Sequence, residues 1–428
     1  MCDEEKLDAI IVGGGLAGLA AAYVLAKAGK EVVLIERGSR CGNKNMTGGR
    51  IYVHSLLSLL GPELLAEAPF ERAIVKEQLT MVSETGSMTI DYTDYSFKGI
   101  PQSYSVLRSV FDDWLAGKAE EAGAMIVTGI QVDKLIEKNG KIVGIVAVGE
   151  EMFANIIIAA DGVNSFMAQQ AGLRNDLTSC EVGVGVKEVI ELPEEVVASR
   201  FGLQAGEGAA RLFVGVTNGI SGGGFLYTNK SSLSLGLVVN PQELSNQQKK
   251  LHTLMQDFKM HSAVYPLLEG GKTVEYAAHL VNELGFNGIP PKLYRDGLVV
   301  IGDAAGFVIN IGSTIRGMDL AIWSGMAVAK AIFEAQTSAE VGPKYMNNIE
   351  RDIIPTMKVY QGYPKLLKNP RMFMEYPKIA NDMMHFMFAV DGSVPKKLPK
   401  AMFDIVKNNV GLRSLLSDGW KGVTSLCR

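Results

Sequence analysis

Residues 8–37 read DAIIVGGGLAGLAAAYVLAKAGKEVVLIER, and they constrain the rest of the chain. Residues 9–12 are a short apolar run, as expected of a strand buried on both faces. Gly13, Gly15 and Gly18 follow in G-x-G-x-x-G spacing. Residues 16–28 have helical composition and stop at Gly29. A second strand over 31–35 ends at Glu36. The first glycine permits a tight turn, the second lets a pyrophosphate approach the backbone, and the third lets helix and strand pack closely. The helix N-terminus offers free N–H groups and a positive dipole end to phosphates. Glu36 lies 18 positions past Gly18, the distance at which a carboxylate takes ribose hydroxyls. A tight βα turn without a ligand is the competing reading. The strand before the glycines, the helix after them and the acid beyond favour a dinucleotide.

The chain has 428 residues, enough for two or three lobes. Hydrophobic residues make up 47% and charged residues 21%, the balance of a globular chain. A net charge of −4 argues against nucleic acid as a partner. The charge is uneven: residues 340–428 carry 14 Lys and Arg against 8 Asp and Glu. Such a basic region is either a solvated face or a surface for an anionic partner or membrane. Cys2, Cys41, Cys180 and Cys427 are scattered and form no C-x-x-C. That spacing gives no iron–sulfur or zinc site and no disulfide framework, and fits a reducing cytoplasm. The acidic N-terminus does not resemble a secretory signal. Residues 9–26 are an uncharged run of membrane-span length, but the glycine triplet and the strand-then-helix pattern explain it better.

Further along, a glycine-rich polar loop over 38–50 leaves the carboxyl end of the second strand, where loops line ligands. Residues 55–65 read as a short helix, 77–92 as a hairpin, and 105–123 as a helix with Arg108 in its first turn. Arg108 is either a surface cation or a phosphate contact. Strands are expected over 125–128, 131–137, 142–149 and 156–160, the last ending at Asp161–Gly162. Residues 178–240 are rich in Gly, Val, Leu and Ser in short runs, the composition of antiparallel sheet. Residues 297–302 form another buried strand, followed by Asp303, and a long helix is expected from about 315 to 335. The remainder is mostly helical.

Several segments agree in order: the glycine triplet, Glu36, Arg108 before Phe111 and Leu115, AADGVNS at 159–165 and GLVVIGDAAG at 297–306. This order resembles FAD-binding proteins of the p-hydroxybenzoate-hydroxylase and geranylgeranyl-reductase superfamily. KNMTGGRIYVHSL, SYSVLRSVFDDWL, VGVKEVIELP, GGGFLYTN, STIRGMDLAIWSG and GWKGVTSL narrow the resemblance to the FixC family. That family is similar to electron-transfer flavoprotein–quinone oxidoreductase.

The resemblance implies an α/β fold: a Rossmann-type FAD-binding domain with an inserted antiparallel-sheet α+β domain and a helical C-terminal region. The FAD-binding domain is expected over 1–76, 103–177 and 286–340, the second domain over 77–102 and 178–285, and the helical region over 341–428. FAD is the expected cofactor, with Arg108 at its phosphates and Asp303 at the pyrophosphate–ribitol region. Further FAD contacts are expected at Gly13, Gly14, Gly15, Ala17, Gly18, Glu36 and Arg37. The loop supplies Lys44, Thr47, Gly48 and Gly49. Val132, Asp161, Gly162, Gly302, Gly312 and Thr314 complete the set, with residues 311–314 as a wall beside the flavin and Arg316 and Asp319 behind it. No side chain is expected to act as a catalytic acid, base or nucleophile, because the cofactor carries the chemistry.

The implied activity is that of an FAD-dependent oxidoreductase taking electrons from an electron-transfer flavoprotein (FixAB-like). The acceptor is a small ferredoxin-like protein (FixX-like) or quinone. The alternative is a reductase of prenyl double bonds, suggested by Cys41–Gly42; a docking flavoprotein without turnover is a third reading. Aromatic hydroxylases follow their Asp–Gly with serine and arginine, whereas Ser165 here precedes Phe166, which weakens a nicotinamide-dependent hydroxylase. The segment 383–390, MMHFMFAV, lies near Lys378, Lys396, Lys397 and Lys400 and reads as either a packed helix or a peripheral contact with the inner face of the cytoplasmic membrane.

Overall fold

The structure is a computed structural model that describes residues 6–45, 48–97, 101–312 and 314–426. β1 (Leu7–Val12), α1 (Leu16–Lys27) and β2 (Val32–Glu36) follow one another through short turns. β3 (Gly49–Tyr52) leads into α2 (Val53–Leu65), which breaks at Gly61, φ 77°, before Pro62. The hairpin of β4 (Ala73–Ser83) and β5 (Gly86–Thr93) precedes β6 (Ser103–Val106), α3 (Arg108–Glu121) and β7 (Met125–Thr128). β8 (Val132–Lys138), β9 (Lys141–Ala147) and β10 (Glu150–Ala159) form a meander that ends before the short α4 (Phe166–Gln170). Then come β11 (Val182–Glu191), α5 (Glu194–Phe201), β12 (Glu207–Val214), β13 (Gly222–Thr228) and β14 (Ser232–Val239). α6 (Pro241–Asn246), α7 (Leu251–Met260) and α8 (Tyr265–Leu268) lead to β15 (Lys272–Asn282).

The short strands β16 (Tyr294–Arg295), β17 (Leu298–Val300), β18 (Ile309–Asn310) and β19 (Ile315–Arg316) precede α9 (Met318–Glu334). The chain closes with α10 (Ser338–Asp352), α11 (Ile354–Val359), α12 (Tyr363–Leu366), α13 (Glu375–Phe388), α14 (Leu398–Asn409) and α15 (Leu412–Leu426).

The first sheet runs β16-β17-β10-β1-β2-β7, parallel except for the β16 edge. β2 is buried along its whole length and β1 from Ala9 onward. That fits strands covered on both faces. α1 packs against α9, and small residues set the approach: a Cβ on Gly325 would stand 2.4 Å from the Ala17 carbonyl oxygen. The first half of β10 pairs with β9, and its second half lies between β1 and β17. One strand thus ties the meander to the sheet.

The second sheet runs β15-β11-β14-β13-β12-β4-β6-β3, with β5 paired to β4. One face is apolar: Val186, Ile190, Leu235 and Leu237 pack on Val197 of α5, Leu254 and Phe258 of α7 and Leu268 of α8. The other face turns toward the first sheet. This sheet also takes β3, the start of β4 and β6, which lie outside the stretches 77–102 and 178–285. β3 and β6 pair from Gly49–Val106 to Tyr52–Ser103. Arg50 secures them by donating to Ser103 Oγ at 2.9 Å and Glu77 Oε2 at 3.0 Å.

The long helix starts later than its composition suggests. Ile315 and Arg316 pair with Ile309 and Asn310 instead, around Gly312 at φ 81°, and α9 begins only after Gly317. Asp418 accepts from Arg371 Nε and the Tyr376 hydroxyl, both at 2.7 Å, which fastens α15 to the segment entering α13.

Candidate functional site

A cavity of about 660 Å³ lies between the two sheets, within the range of cofactor sites. Its floor is the glycine turn. Gly13 sits at φ 111°, and a Cβ there would meet the Ala160 carbonyl oxygen at 2.3 Å. A Cβ on Gly18 would lie 2.1 Å from the Gly13 carbonyl oxygen, so helix and strand touch there. Gly15 differs: a Cβ on it meets nothing within 4 Å. The space before α1 is therefore open, and no side chain caps the helix N-terminus. Glu36 accepts from Gly14 N at 2.7 Å and Gly38 N at 2.6 Å. Two amides hold its carboxylate at the end of β2 while lone pairs remain for hydroxyl groups. An open helix start beside a fixed carboxylate is what a dinucleotide requires, so its phosphates and ribose fit this floor.

Arg108 opens α3 and donates to Asp112 through Nε at 2.8 Å and Nη2 at 2.7 Å. Burial disfavours its charge, but the Asp112 carboxylate outweighs this and raises its pKa. Asn45 also donates to Asp112, at 2.7 Å, which joins the glycine-rich loop to α3. Asp161 accepts from Met167 N at 3.0 Å through Oδ2, while its buried Oδ1 has no partner. Burial pushes this carboxyl up to about 6. Burial raises Asp303 as well, against the charges of His279, Arg108 and Arg174.

Of the residues expected from sequence, Gly13, Gly15, Ala17, Glu36, Arg37 and Lys44 line the cavity. So do Gly48, Gly49, Arg108, Val132, Asp161, Gly162, Asp303, Gly312 and Thr314. Gly14, Gly18 and Gly302 stand behind the wall and do not line it. Gly14 packs on Cys41, Gly18 on Gly13, and Gly302, at φ 62°, on the Ala17 methyl. Thr47 and Ser313 lie outside the described residues. Arg316 donates to Asp319 at 2.8 Å, and His54 Nε2 bonds the same carboxylate oxygen at 2.9 Å, behind Thr314 and Ile315.

The roof was not legible in the sequence. It consists of alternate residues of the second sheet, Lys187, Phe225, Tyr227 and His279, with Asn240 and Glu283 just beyond the ends of β14 and β15. Burial lowers Lys187 to about 7 and raises Glu283 to about 7 and Tyr227 to about 12. The available signal was a lysine following two alternate glycines in a mostly apolar strand, VGVGVKEV. Cys41 is buried behind the floor, and burial, then the Glu36 charge, push its thiol up to about 12. It is a packed side chain with no thiolate chemistry at neutral pH. Among the described residues, no group of three or more His, Cys, Asp or Glu could hold a metal ion.

Three family patterns match the chain in order. Residues 6–197 match an FAD binding domain, 182–281 the ubiquinone-binding domain of electron-transfer flavoprotein–quinone oxidoreductase (ETF-QO), and 363–426 the ETF-QO/FixC family C-terminal domain. The chain is 48% identical to FixC of Salmonella typhi, over 99% of this chain and all of that protein. It is 47% identical to FixC of Escherichia coli K12 over the same shares. A probable ETF-QO of Escherichia coli K12, YdiS, is 41% identical over 99% of this chain and all of its own length.

Among solved structures, a geranylgeranyl bacteriochlorophyll reductase-like protein of Thermoplasma acidophilum superposes with TM-score 0.72 at 20% identity, over 97% of this chain and 99% of that one. The myxobacterial halogenase CndH, described as FAD-dependent, gives 0.64 at 17% identity, over 96% and 92%. At these identities the likeness is one of fold. FAD is the cofactor, and the glycine turn and Glu36 fall inside the FAD-binding match. With nearly half its residues identical to FixC along the whole length, the chain belongs to the FixC family of FAD-dependent oxidoreductases, similar to ETF-QO.

Proposed function

We propose that this chain takes electrons from an electron-transfer flavoprotein and passes them, through FAD, to a small ferredoxin-like protein or to quinone. The observation that carries this reading is the shared cavity: residues from the FAD-binding match form its floor, and strands of the ubiquinone-binding match form its roof. Bound FAD supplies reversible one- and two-electron chemistry. The chain's own residues have positioning work. The amides after Gly13 and the start of α1 hold phosphate, Glu36 holds ribose hydroxyls, and Arg108, steadied by Asp112, reaches the phosphates. Gly48 and Gly49 of the loop, with Gly312 and Thr314, would border the ring, while Lys44 stands beside Gly38 at the Glu36 end.

Electron transfer between proteins needs a flavin edge near the surface and no nicotinamide pocket. No second G-x-G-x-x-G with a following acid occurs in the sequence. The arginine nearest the Asp161 turn, Arg174, donates to the Ala304 carbonyl at 3.1 Å. In anaerobic stopped-flow, a reduced electron-transfer flavoprotein should bleach the FAD absorbance quickly, and NADH or NADPH slowly or not at all. Rapid, saturable reduction by NADPH alone overturns the reading.

The same reading puts the protein at the inner face of the cytoplasmic membrane, as a peripheral contact. Met387, Phe388, Val390 and Val394 are exposed at and after the end of α13, beside exposed Lys396, Lys397 and Lys400. Basic residues near an anionic surface contribute about 1 kcal/mol each. Flotation with anionic vesicles at low salt should carry the protein upward; absence of binding removes this part. Among the described residues, no helix is long and apolar enough to cross a membrane.

A further inference from the structure

Lys187 is a buried charge that the dinucleotide cradle leaves unused. It lies on β11, 5% exposed, and lines the cavity. Small neighbours leave room around it on that face: Gly185 two residues before it, Gly236 directly opposite on β14 and Ala277 directly opposite on β15. The Phe225 ring lies 5.2 Å from the ammonium. Among the described residues the ammonium has no hydrogen bond and no ion pair. The charges that bear on it are Arg108 of α3 and Glu275 of β15. Arg108 is already committed to Asp112, and Glu275 acts from beyond ion-pair distance. His279 shares the β15 face two pairs further along. An unpaired cation in a dry site is costly unless a ligand brings the opposite charge.

We propose that Lys187 meets the negative charge that the isoalloxazine ring of FAD carries when reduced, and thereby raises the reduction potential. Reduction brings two electrons from the donor protein and one proton from solvent to the ring, and leaves one negative charge near N1 and C2=O. The oxidised ring is neutral, so a cation facing it stabilises one redox state over the other. Burial, followed by the nearby Arg108 charge, lowers the free ammonium to about 7. A negative ring beside it would restore a full positive charge. The FAD phosphates are the other source of negative charge in this cavity, but their charge is the same in both redox states. The inference rests on FAD as cofactor and not on which protein reduces it, so it stands or falls separately from the electron-donor reading.

The test is a spectroelectrochemical titration of the full-length holoprotein, with FAD affinity measured alongside, for the natural chain, Lys187→Met and Lys187→Arg. Lys187→Met should stay yellow, bind FAD within about twofold of the natural chain, and show a reduction equilibrium about tenfold less favourable. For a two-electron couple that is about 30 mV downward. Lys187→Arg, which keeps the charge, should hold the potential near the natural value. An unchanged potential with full FAD content overturns the inference. So does weakened FAD binding at unchanged potential, because the lysine then serves the phosphates. Lys187→Gln, with a polar end and no charge, gives the same readout should the methionine variant fail to fold.

Discussion

The two sheets that meet at the cavity use burial differently. β1 and β2 are apolar on both faces, and the floor they carry offers mainly backbone: amides, an open helix start and glycines at close contacts. Glu36 is a charged exception, and two amides fix it. The second sheet is apolar on one face only, and toward the cavity it presents Lys187, Tyr227, His279 and Glu283. The floor therefore recognises by shape and dipole, the roof by charge. Changes in the floor should decide whether the cofactor binds or the lobe folds. Changes in the roof should leave the cofactor bound and alter its chemistry.

The largest effect is expected at Gly15. Its Cβ position is open, so Gly15→Leu should fold, yet fill the phosphate space and purify colourless. Full absorbance near the flavin maximum in that variant would mean that the floor is misassigned. Next is Arg72, which holds the second sheet together through a buried charge. Its guanidinium donates to the carbonyls of Asn229 at 2.7 Å, Glu207 at 3.0 Å and Lys230 at 3.0 Å. Arg72→Met would orphan these acceptors and should cost roughly 3–5 kcal/mol in urea unfolding.

Gly18→Ala tests the helix–strand contact. A methyl 2.1 Å from the Gly13 carbonyl oxygen must push α1 off the sheet, for about 1–3 kcal/mol. If Gly18→Ala proved as stable as the natural chain while Gly15→Leu unfolded, the contrast between the two glycines would collapse.

The smallest effect is a pH slope. Asp161 titrates at about 6 in the fold, against about 3.9 in an unfolded chain. The folded state holds the proton more tightly. That contribution is complete below about pH 4 and is lost as pH rises through 6. Asp161→Asn keeps an acceptor for Met167 N and cannot ionise. Its stability relative to the natural chain should therefore rise by about 2 kcal/mol from pH 4 to pH 8, read from denaturant midpoints. A flat difference across that range would show that Asp161 is solvated.

Most of the floor was legible because its signals are local. The turn, helix and second strand lie within 30 residues, and Gly13 and Gly18 answer contacts inside that unit or just beyond it, while Gly15 leaves its space open. The strand over 125–128 also fell where composition placed it, and 178–240 carries antiparallel strands as expected. Residues 315–317 were less legible. Helical composition runs through them, but pairing with Ile309 and Asn310 makes a strand and delays α9 to Met318. Local propensity lost there to a tertiary contact. Cys41–Gly42 resembled a Cys–Gly of prenyl reductases, with a small buried cysteine as the competing reading. Only burial beside Glu36 and Gly14 shows it as packing.

The sequence by itself determined the dinucleotide unit, the family and the cofactor, because spacing along one chain carries those signals. Tertiary structure decided which residues line the cavity. Lys187, Phe225, His279 and Glu283 sit far apart in sequence and converge because β11, β13 and β15 lie in one sheet facing the floor. Strand alternation assigns each to a face, but only the pairing of distant strands and the packing of one sheet over the other decides which face is the roof.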